Sequence, residues 1–344
     1  MKIFTLKSKM VYNVNRQKID CAAIERRKNM DVKILADDIK NNIQKVIIGK
    51  DKVINIVVTA LICGGHVLLE DVPGTGKTVL ARSLAKSVDC DFKRVQFTPD
   101  LMPSDLTGIN YYNQKLGEFT LRKGPVFTNI LLADEINRAT PRTQSSLLEC
   151  MEETQVSIDG TTYVLDKPFF VIASQNPVES QGTFPLPEAQ LDRFLIKINM
   201  GYPTLEEGKQ IFKRFIENNP LEELKSICKK EDIIEAREIS KKIYVSDDIQ
   251  EYILKIVQET LNNENIVLGV SPRGSLAMLK ACQVYAAING RSFVNPDDIK
   301  ILAPFIFSHR LIIKSTLRIK GLSNEDVVNE VLSKVEVPTE KWDK

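Results

Sequence analysis

An α/β domain followed by a smaller helical domain is the architecture this 344-residue sequence predicts, on three observations. From residue 31 to about 201, amphipathic helical stretches alternate with short apolar runs. One of those runs leads directly into a glycine-rich turn that opens a helix. Beyond Gly201-Tyr202-Pro203 the texture changes to helices alone. Strands alternating with helices imply a parallel sheet joined by right-handed crossovers, and the length suffices for two domains.

Residues 1–29 stand apart. They carry Lys2, Lys7, Lys9, Arg16, Lys18, Arg26, Arg27 and Lys28 against only Asp20 and Glu25. They hold no lasting periodicity and lack the apolar core of a secretory signal. The expected division is therefore a loosely ordered basic extension over 1–30, an α/β core over 31–201 and a helical domain over 202–344. Met30 is an alternative start, which an intact mass retaining Met1 would exclude.

Within the core, Leu35, Ile39, Ile43 and Val46 recur at helical spacing, as do Ile54, Val57, Val58, Leu61 and Ile62. Compact runs follow at Val67-Leu68-Leu69, Val95-Gln96-Phe97, Ile130 to Ala133, Phe169 to Ile172 and Phe194-Leu195-Ile196. Runs of this kind, mostly without polar alternation, read as strands buried on both faces. Two further stretches read as β-hairpins inserted into the core. Ile109 to Leu121 has a polar turn around Asn113 to Gly117, and Val156 to Val164 has Asp159-Gly160 between alternating runs. In the helical part, apolar stripes are expected along Ile211, Phe212, Phe215 and Ile216; along Ile249, Tyr252, Ile253, Ile256 and Val257; and along Leu276, Leu279 and Cys282. Asn295-Pro296 starts a further helix as N-cap and first-turn proline.

Composition narrows the function. At 43% hydrophobic and 27% charged, the chain resembles an ordinary soluble protein. No apolar run reaches the length of a membrane helix. Its 47 basic and 45 acidic residues leave a net charge of +2, which offers no global field for nucleic acid or an anionic membrane. Cys21, Cys63, Cys90, Cys150, Cys228 and Cys282 are scattered, and His66 and His309 are the only imidazoles. That pattern argues against a Cys/His metal site and for reduced thiols in a cytoplasmic protein.

The chemistry begins at Asp71-Val72-Pro73-Gly74-Thr75-Gly76-Lys77-Thr78, between a strand ending at Glu70 and a helix buried along Leu80, Leu84, Ala85 and Val88. Gly74, Thr75 and Gly76 let backbone N–H groups turn inward around phosphates. Lys77 reaches the β/γ-phosphates of a bound ATP, and the Thr78 hydroxyl ligates Mg²⁺. The strict pattern wants glycine where Asp71 stands. The run Ile130 to Ala133 ends in Asp134-Glu135, placing two carboxylates at the ligand end of a parallel strand. Asp134 suits the Mg²⁺ shell, and Glu135 suits a general base toward water. The run from Phe169 to Ser174 ends at Gln175-Asn176-Pro177. Asn176 there either orients the water or belongs to a turn. Ser271-Pro272-Arg273 puts a cation in the first turn of a helix, against the macrodipole. A γ-phosphate near Arg273 would relieve that conflict. Arg193 either pairs with the adjacent Asp192 on the surface or reaches the ATP of a neighbouring subunit.

Together these segments resemble the MoxR family of AAA+ ATPases. His66 to Thr78 is similar to its Walker A region, in which the first glycine is often replaced. Asp134-Glu135-Ile136-Asn137-Arg138-Ala139 resembles Walker B, and Ser174-Gln175-Asn176-Pro177 resembles sensor 1. Glu188 to Phe194 resembles the arginine-finger segment, and Gly269 to Arg273 resembles sensor 2. The likeness spans about residues 35–335 and leaves out the basic extension. It implies a P-loop NTPase αβα AAA+ core with a parallel sheet, two inserted β-hairpins and an all-α lid. It further implies a ring, most often hexameric, with ATP and Mg²⁺ between subunits. ATP would be held by Lys77, Thr78, Asp134, Glu135, Asn176 and Arg273, with Ile48-Gly49 lining the adenine. Arg193 would come from the neighbour, with Arg138 or Arg142 as further trans contacts. Clients would be proteins, often acting with von Willebrand factor A domain partners.

A nucleic-acid-stimulated motor is the competing class, and the Val156–Val164 hairpin, with Asp159 and no Lys or Arg, argues against it. A nucleotide-gated switch with little turnover would have no need to keep Glu135, Asn176, Arg193 and Arg273 together.

Overall fold

The computed structural model describes residues 30–72, 74–176, 182–217 and 219–338. The expected extension over 1–29, Cys21, Pro73 and Pro177 lie outside the described residues. The described chain opens with α1 (Val32–Gln44), whose N-cap Asp31 accepts from the N–H groups of Lys33 and Ile34. Next comes α2 (Asp51–Cys63), closed by Gly64 in the left-handed region. The core then runs β1 (Val67–Glu70), α3 (Lys77–Ser87), β2 (Phe92–Gln96), α4 (Pro103–Thr107), β3 (Gly108–Asn113), β4 (Glu118–Lys123), β5 (Ile130–Asp134), α5 (Pro141–Glu153), β6 (Gln155–Ile158), β7 (Thr161–Val164), β8 (Phe170–Gln175), α6 (Glu188–Leu191) and β9 (Ile196–Ile198).

Five strands form one parallel sheet in the order β2-β5-β8-β1-β9. Burial follows the two-residue period of a strand. Val67 and Leu69 of β1, Ile130 and Leu132 of β5, and Phe170 and Ile172 of β8 enter one apolar cluster. Leu68, Leu131, Ala133, Val171 and Ala173 enter the other. The expectation of strands buried on both faces therefore holds for β1, β5 and β8. It fails for β2. That strand lies at the sheet edge and buries only Val95, while Phe97 lies beyond its end. Its exposed Lys93 and Arg94 belong to the usual means by which an edge discourages further pairing.

Both hairpins form. Tyr112 faces Phe119 across β3 and β4, their rings edge to face at 5.5 Å. Between β6 and β7 the two turn residues Asp159 and Gly160 have φ of 48° and 80°, the doubly left-handed turn that Asp-Gly favours. The hairpins touch where the Asn110 amide donates to Asp159 at 2.9 Å.

Beyond β9 come α7 (Leu205–Glu217), α8 (Pro220–Glu223), α9 (Lys230–Ser240), α10 (Asp247–Asn262), β10 (Ile266–Leu268), α11 (Pro272–Ile288), α12 (Pro296–Phe307), β11 (Ile312–Ile313), α13 (Ser315–Ile319) and α14 (Asn324–Lys334). This part of the chain is helical with one addition to the all-α expectation, the antiparallel ribbon β10–β11. Asn295 caps α12 as expected, completing a capping box with Asp298. The α10 stripe is buried. The α11 stripe is covered in part: Cys282 is buried and Leu279 packs against the core, while Leu276 is exposed and Met278 and Ala281 are buried beside Cys282. Along α7, Leu205, Phe212, Phe215 and Ile216 all face outward. Helical periodicity announces an apolar face, but what covers that face is decided by neighbouring elements. One apolar cluster runs continuously from α1, α2 and the sheet into α10, α11 and α12, so the core is partitioned by the sheet more than by the passage into the lid.

Candidate functional site

The loop after β1 has the geometry of a phosphate cradle. Gly74 and Gly76 have φ of 86° and 92°, values that side-chain-bearing residues rarely adopt. A Cβ at Gly74 would meet nothing within 4 Å, so the glycine serves the backbone angle and not space. Gly76 caps α3 with no side-chain hydrogen bond, which leaves the first-turn N–H groups without a side-chain cap, as an anion-binding helix start requires. Lys77 is buried, and its Nζ donates to the Asp71 carbonyl at 2.8 Å. The Thr75 hydroxyl donates to the Val72 carbonyl at 3.3 Å, and half-buried Thr78 is the second residue of α3.

At the end of β5, Asp134 and Glu135 are organised by a residue that sequence reasoning missed. Ser174 of β8 is fully buried. Its hydroxyl donates to Asp134 Oδ1 at 2.5 Å and accepts the Glu135 N–H at 2.9 Å. Glu135 sits at φ 56° in the left-handed region, a strained placement that typically marks functional positions. Its carboxylate pairs with Arg138 at 2.9 Å. The other Asp134 oxygen receives Arg94 from β2 at 2.7 Å. At the end of β8 the Gln175 amide donates to Glu70 at 2.6 Å, and Lys197 of β9 pairs with the same carboxylate. Asn176 follows, buried, its carbonyl accepting from the Asn137 amide at 3.5 Å. Lys77, Asp134, Glu135 and Asn176 thus come from the C-terminal edge of one sheet, where parallel α/β folds place ligands.

The two arginines are gathered elsewhere. Arg193 and Arg273 share the carboxylate of Glu152 on α5, Arg193 through Nε at 3.2 Å. Among the described residues, no hydrogen bond or ion pair joins either guanidinium to Lys77, Thr78, Asp134 or Glu135. Ser271 caps α11 as expected, accepting the Gly274 N–H at 3.2 Å. The clash between Arg273 and the helix dipole is relieved here by Glu152. Nor does Arg193 pair with Asp192. That carboxylate binds Arg310 at 2.6 Å and the Ser271 hydroxyl at 3.1 Å. Arg310 is nearly fully buried and also donates to the carbonyls of Phe194 and Leu195, clasping lid to core. Gly274 leaves it room, since a Cβ there would lie 2.9 Å from Arg310 Cδ.

Ile48 and Gly49 lie in the turn between α1 and α2, beside the start of α7. Gly49 has φ 71°, and a Cβ would collide with Glu207 of α7. Lys50 donates to the Tyr202 carbonyl at 3.1 Å, and Arg214 donates to the carbonyls of Gln44 and Lys45. The segment expected beside an adenine is therefore bracketed by α1, α2 and the chain from Tyr202 into α7. Arg142 is exposed on α5.

Ser174 left a signal in the sequence, a hydroxyl ending an otherwise apolar strand. Glu152, Arg94 and Arg310 left none, because their partners are remote along the chain. The described cysteines are free thiols. Burial pushes Cys63 up to about 11 and Cys90, Cys150 and Cys228 up to about 12, which disfavours the reactive thiolate. No helix among the described residues is long and apolar enough to cross a membrane.

Comparison with known proteins agrees with this geometry. A family model described as the ATPase family associated with various cellular activities (AAA) matches residues 66–196, and an AAA lid domain model matches 258–331. The chain is 50% identical over 300 residues to the uncharacterized protein YeaC of Bacillus subtilis, covering 87% of this chain and 94% of that one. It is 40% identical over 305 residues to Chaperone MoxR1 of Mycobacterium tuberculosis, covering 86% and 80% respectively. The crystal structure of a candidate ATPase from Cytophaga hutchinsonii superposes with a TM-score of 0.85 at 38% identity, covering 93% of this chain and all of that one.

Proposed function

Because the chain belongs to the MoxR family of AAA+ ATPases, we propose that it hydrolyses ATP between the subunits of a ring, most simply a hexamer, to remodel or activate protein clients. The observation that carries this reading is the separation of parts. The phosphate loop, Asp134 and Glu135 stand on one sheet edge, while Arg193 and Arg273 are drawn together on Glu152. A site that needs both sets is completed from two subunits. In this reading Arg273 acts with Arg193 on the neighbour's nucleotide and not on the phosphates of its own subunit.

Each residue then has a task. The loop N–H groups and Lys77 hold the β/γ-phosphates, and Ile48-Gly49 line the base. Thr78 and Asp134 supply two oxygen ligands for Mg²⁺, which neutralises phosphate charge when bound; two protein ligands suit an ion that keeps waters and phosphates in its shell. Glu135, fixed by Ser174 and Arg138, takes the proton of the attacking water. Asn176 orients that water. Arg193 and Arg273 stabilise the charge of the transition state, as trans-acting arginines do. ATP and ADP favour different lid positions, and that difference does work on the client. The two touching hairpins, with Tyr111, Tyr112, Leu116 and Phe119 exposed, are the client-facing surface in this reading. Partners with von Willebrand factor A domains and a cytoplasmic setting that keeps thiols reduced fit the same picture.

Mixing inactive subunits tests it. Arg193→Ala is expected to bind ATP without turning over, and Lys77→Ala to bind none. Mixed rings regain partial activity if the arginine acts across the interface. Absence of activity in every mixture sinks the ring mechanism.

A further inference from the structure

Asp71 occupies the position where the phosphate-loop pattern asks for glycine, and it is almost fully buried. A buried carboxylate is tolerated only when its oxygens are satisfied, and here three backbone N–H groups do so. Oδ1 accepts from Val72 at 2.9 Å, and Oδ2 accepts from Met200 and from Gly201, each at 3.0 Å. Met200 and Gly201 follow β9 and lead through Tyr202 to α7, the first helix of the lid. The backbone of the same residue faces the other way. Its carbonyl holds Lys77 Nζ at 2.8 Å, and its N–H donates to the Gln175 carbonyl at 3.1 Å. One residue therefore touches the phosphate-binding lysine, the end of β8 and the passage from core to lid.

We infer that Asp71 is a positioning residue that transmits the occupancy of the phosphate loop to the core–lid passage. Phosphates compete with the Asp71 carbonyl for the Lys77 ammonium. When the lysine leaves, the backbone at Asp71 loses its inner tether and adjusts. The short carboxylate passes that adjustment to the Met200 and Gly201 N–H groups. Gly201 suits such a pivot, having φ 63° and a Cβ position contacted only by Asn199 Oδ1 at 3.9 Å. Beyond it the lid segment is tied back to the core by Lys50, which donates to the Tyr202 carbonyl, so a shift at Gly201 bears on the turn beside Gly49. Glycine at position 71 would keep the loop and remove the link.

The test compares full-length wild type, Asp71→Gly and Asp71→Asn. Amide hydrogen exchange over residues 199–204 is followed without nucleotide, with ADP and with adenylyl imidodiphosphate, and affinity for the same two nucleotides is measured in parallel. In wild type, nucleotide is expected to change exchange across 199–204. Asp71→Gly is expected to bind both nucleotides while exchange there becomes insensitive to them, with turnover falling about tenfold, a usual size for coupling between sites. Asp71→Asn keeps one carbonyl for Met200 and Gly201 and is expected to retain a reduced response; it carries the test alone if Asp71→Gly does not fold. Three results would overturn the inference: no nucleotide response in wild type, an undiminished response in the variants, or folded variants that no longer bind nucleotide. Because binding is measured separately and no client is present, failure here leaves the ring mechanism untouched.

Discussion

Replacing Ser174 by alanine removes one oxygen atom and two hydrogen bonds from the centre of the site. The hydroxyl is fully buried, donating to Asp134 at 2.5 Å and accepting the Glu135 N–H at 2.9 Å. Losing a bond to a charged acceptor costs about 1.5–3 kcal/mol, and leaving a buried N–H unpaired about 1–3 kcal/mol. Asp134 retains Arg94, which places the total toward the lower end, about 3 kcal/mol of folding stability. The kinetic effect should be larger than that number suggests. Glu135 is held at φ 56°, a conformation worth roughly 1–3 kcal/mol of strain that persists only while its surroundings enforce it. Without the Ser174 oxygen the backbone is free to relax, and a displacement of about 1 Å at a reacting group commonly costs about 100-fold in rate. The expected outcome is a kcat lowered about 100-fold with ATP affinity preserved, read by phosphate release, equilibrium nucleotide binding and urea denaturation. Ser174→Thr keeps the hydroxyl and should retain most of the activity. An Ser174→Ala enzyme with undiminished kcat would refute the claim that this hydroxyl holds the acidic pair in place.

Glu135→Gln should bind ATP as wild type does and fail to turn it over, trapping the loaded state; normal turnover in single-cycle assays would remove Glu135 as the base. Arg310→Leu removes the guanidinium that pairs with Asp192 and with the carbonyls of Phe194 and Leu195, and should destabilise the fold by roughly 3–5 kcal/mol, as breaking a buried ion pair does. A urea midpoint unchanged from wild type would show that the clasp contributes nothing. His66 supplies a pH test. Its Nδ1 accepts the Val171 N–H and its Nε2 donates to the Met151 carbonyl, so the ring is neutral when folded. Burial lowers its pKa from 6.5 to about 4. Between those values the unfolded chain binds a proton that the folded one refuses, so stability present above pH 6.5 is lost as pH falls toward 4. The loss is on the order of 3 kcal/mol, and a stability difference between wild type and His66→Gln that stays constant across this window would contradict it.

How much of this was legible in sequence depended on the range of the interaction involved. The glycines at 74 and 76, the Asp159-Gly160 turn, and the Asn295 and Ser271 caps act within a few residues, and each stands where the local pattern puts it. The strands β1, β5 and β8 were readable because a strand buried on both faces needs apolar residues at nearly every position. The α7 stripe forms as read but stays exposed, because a 3.6-residue period records that a face is apolar and carries no information on its cover. Edge position misled for β2, since nothing local distinguishes an outer strand from an inner one.

By itself, then, the sequence determined the phosphate loop, the acidic strand end, the two hairpins and the change from alternating elements to helices. All of these follow from short-range sterics, hydrogen bonding and periodicity. Tertiary structure alone decided the partnerships. It assigned Arg193 to Glu152 and not to its neighbour Asp192, brought Arg273 to the same carboxylate, set Ser174 between Asp134 and Glu135, and turned Asp71 toward Met200 and Gly201. A charged or hydroxylated side chain advertises only that it needs a partner. Which of many it finds depends on how the sheet and the lid pack, and no local spacing encodes that.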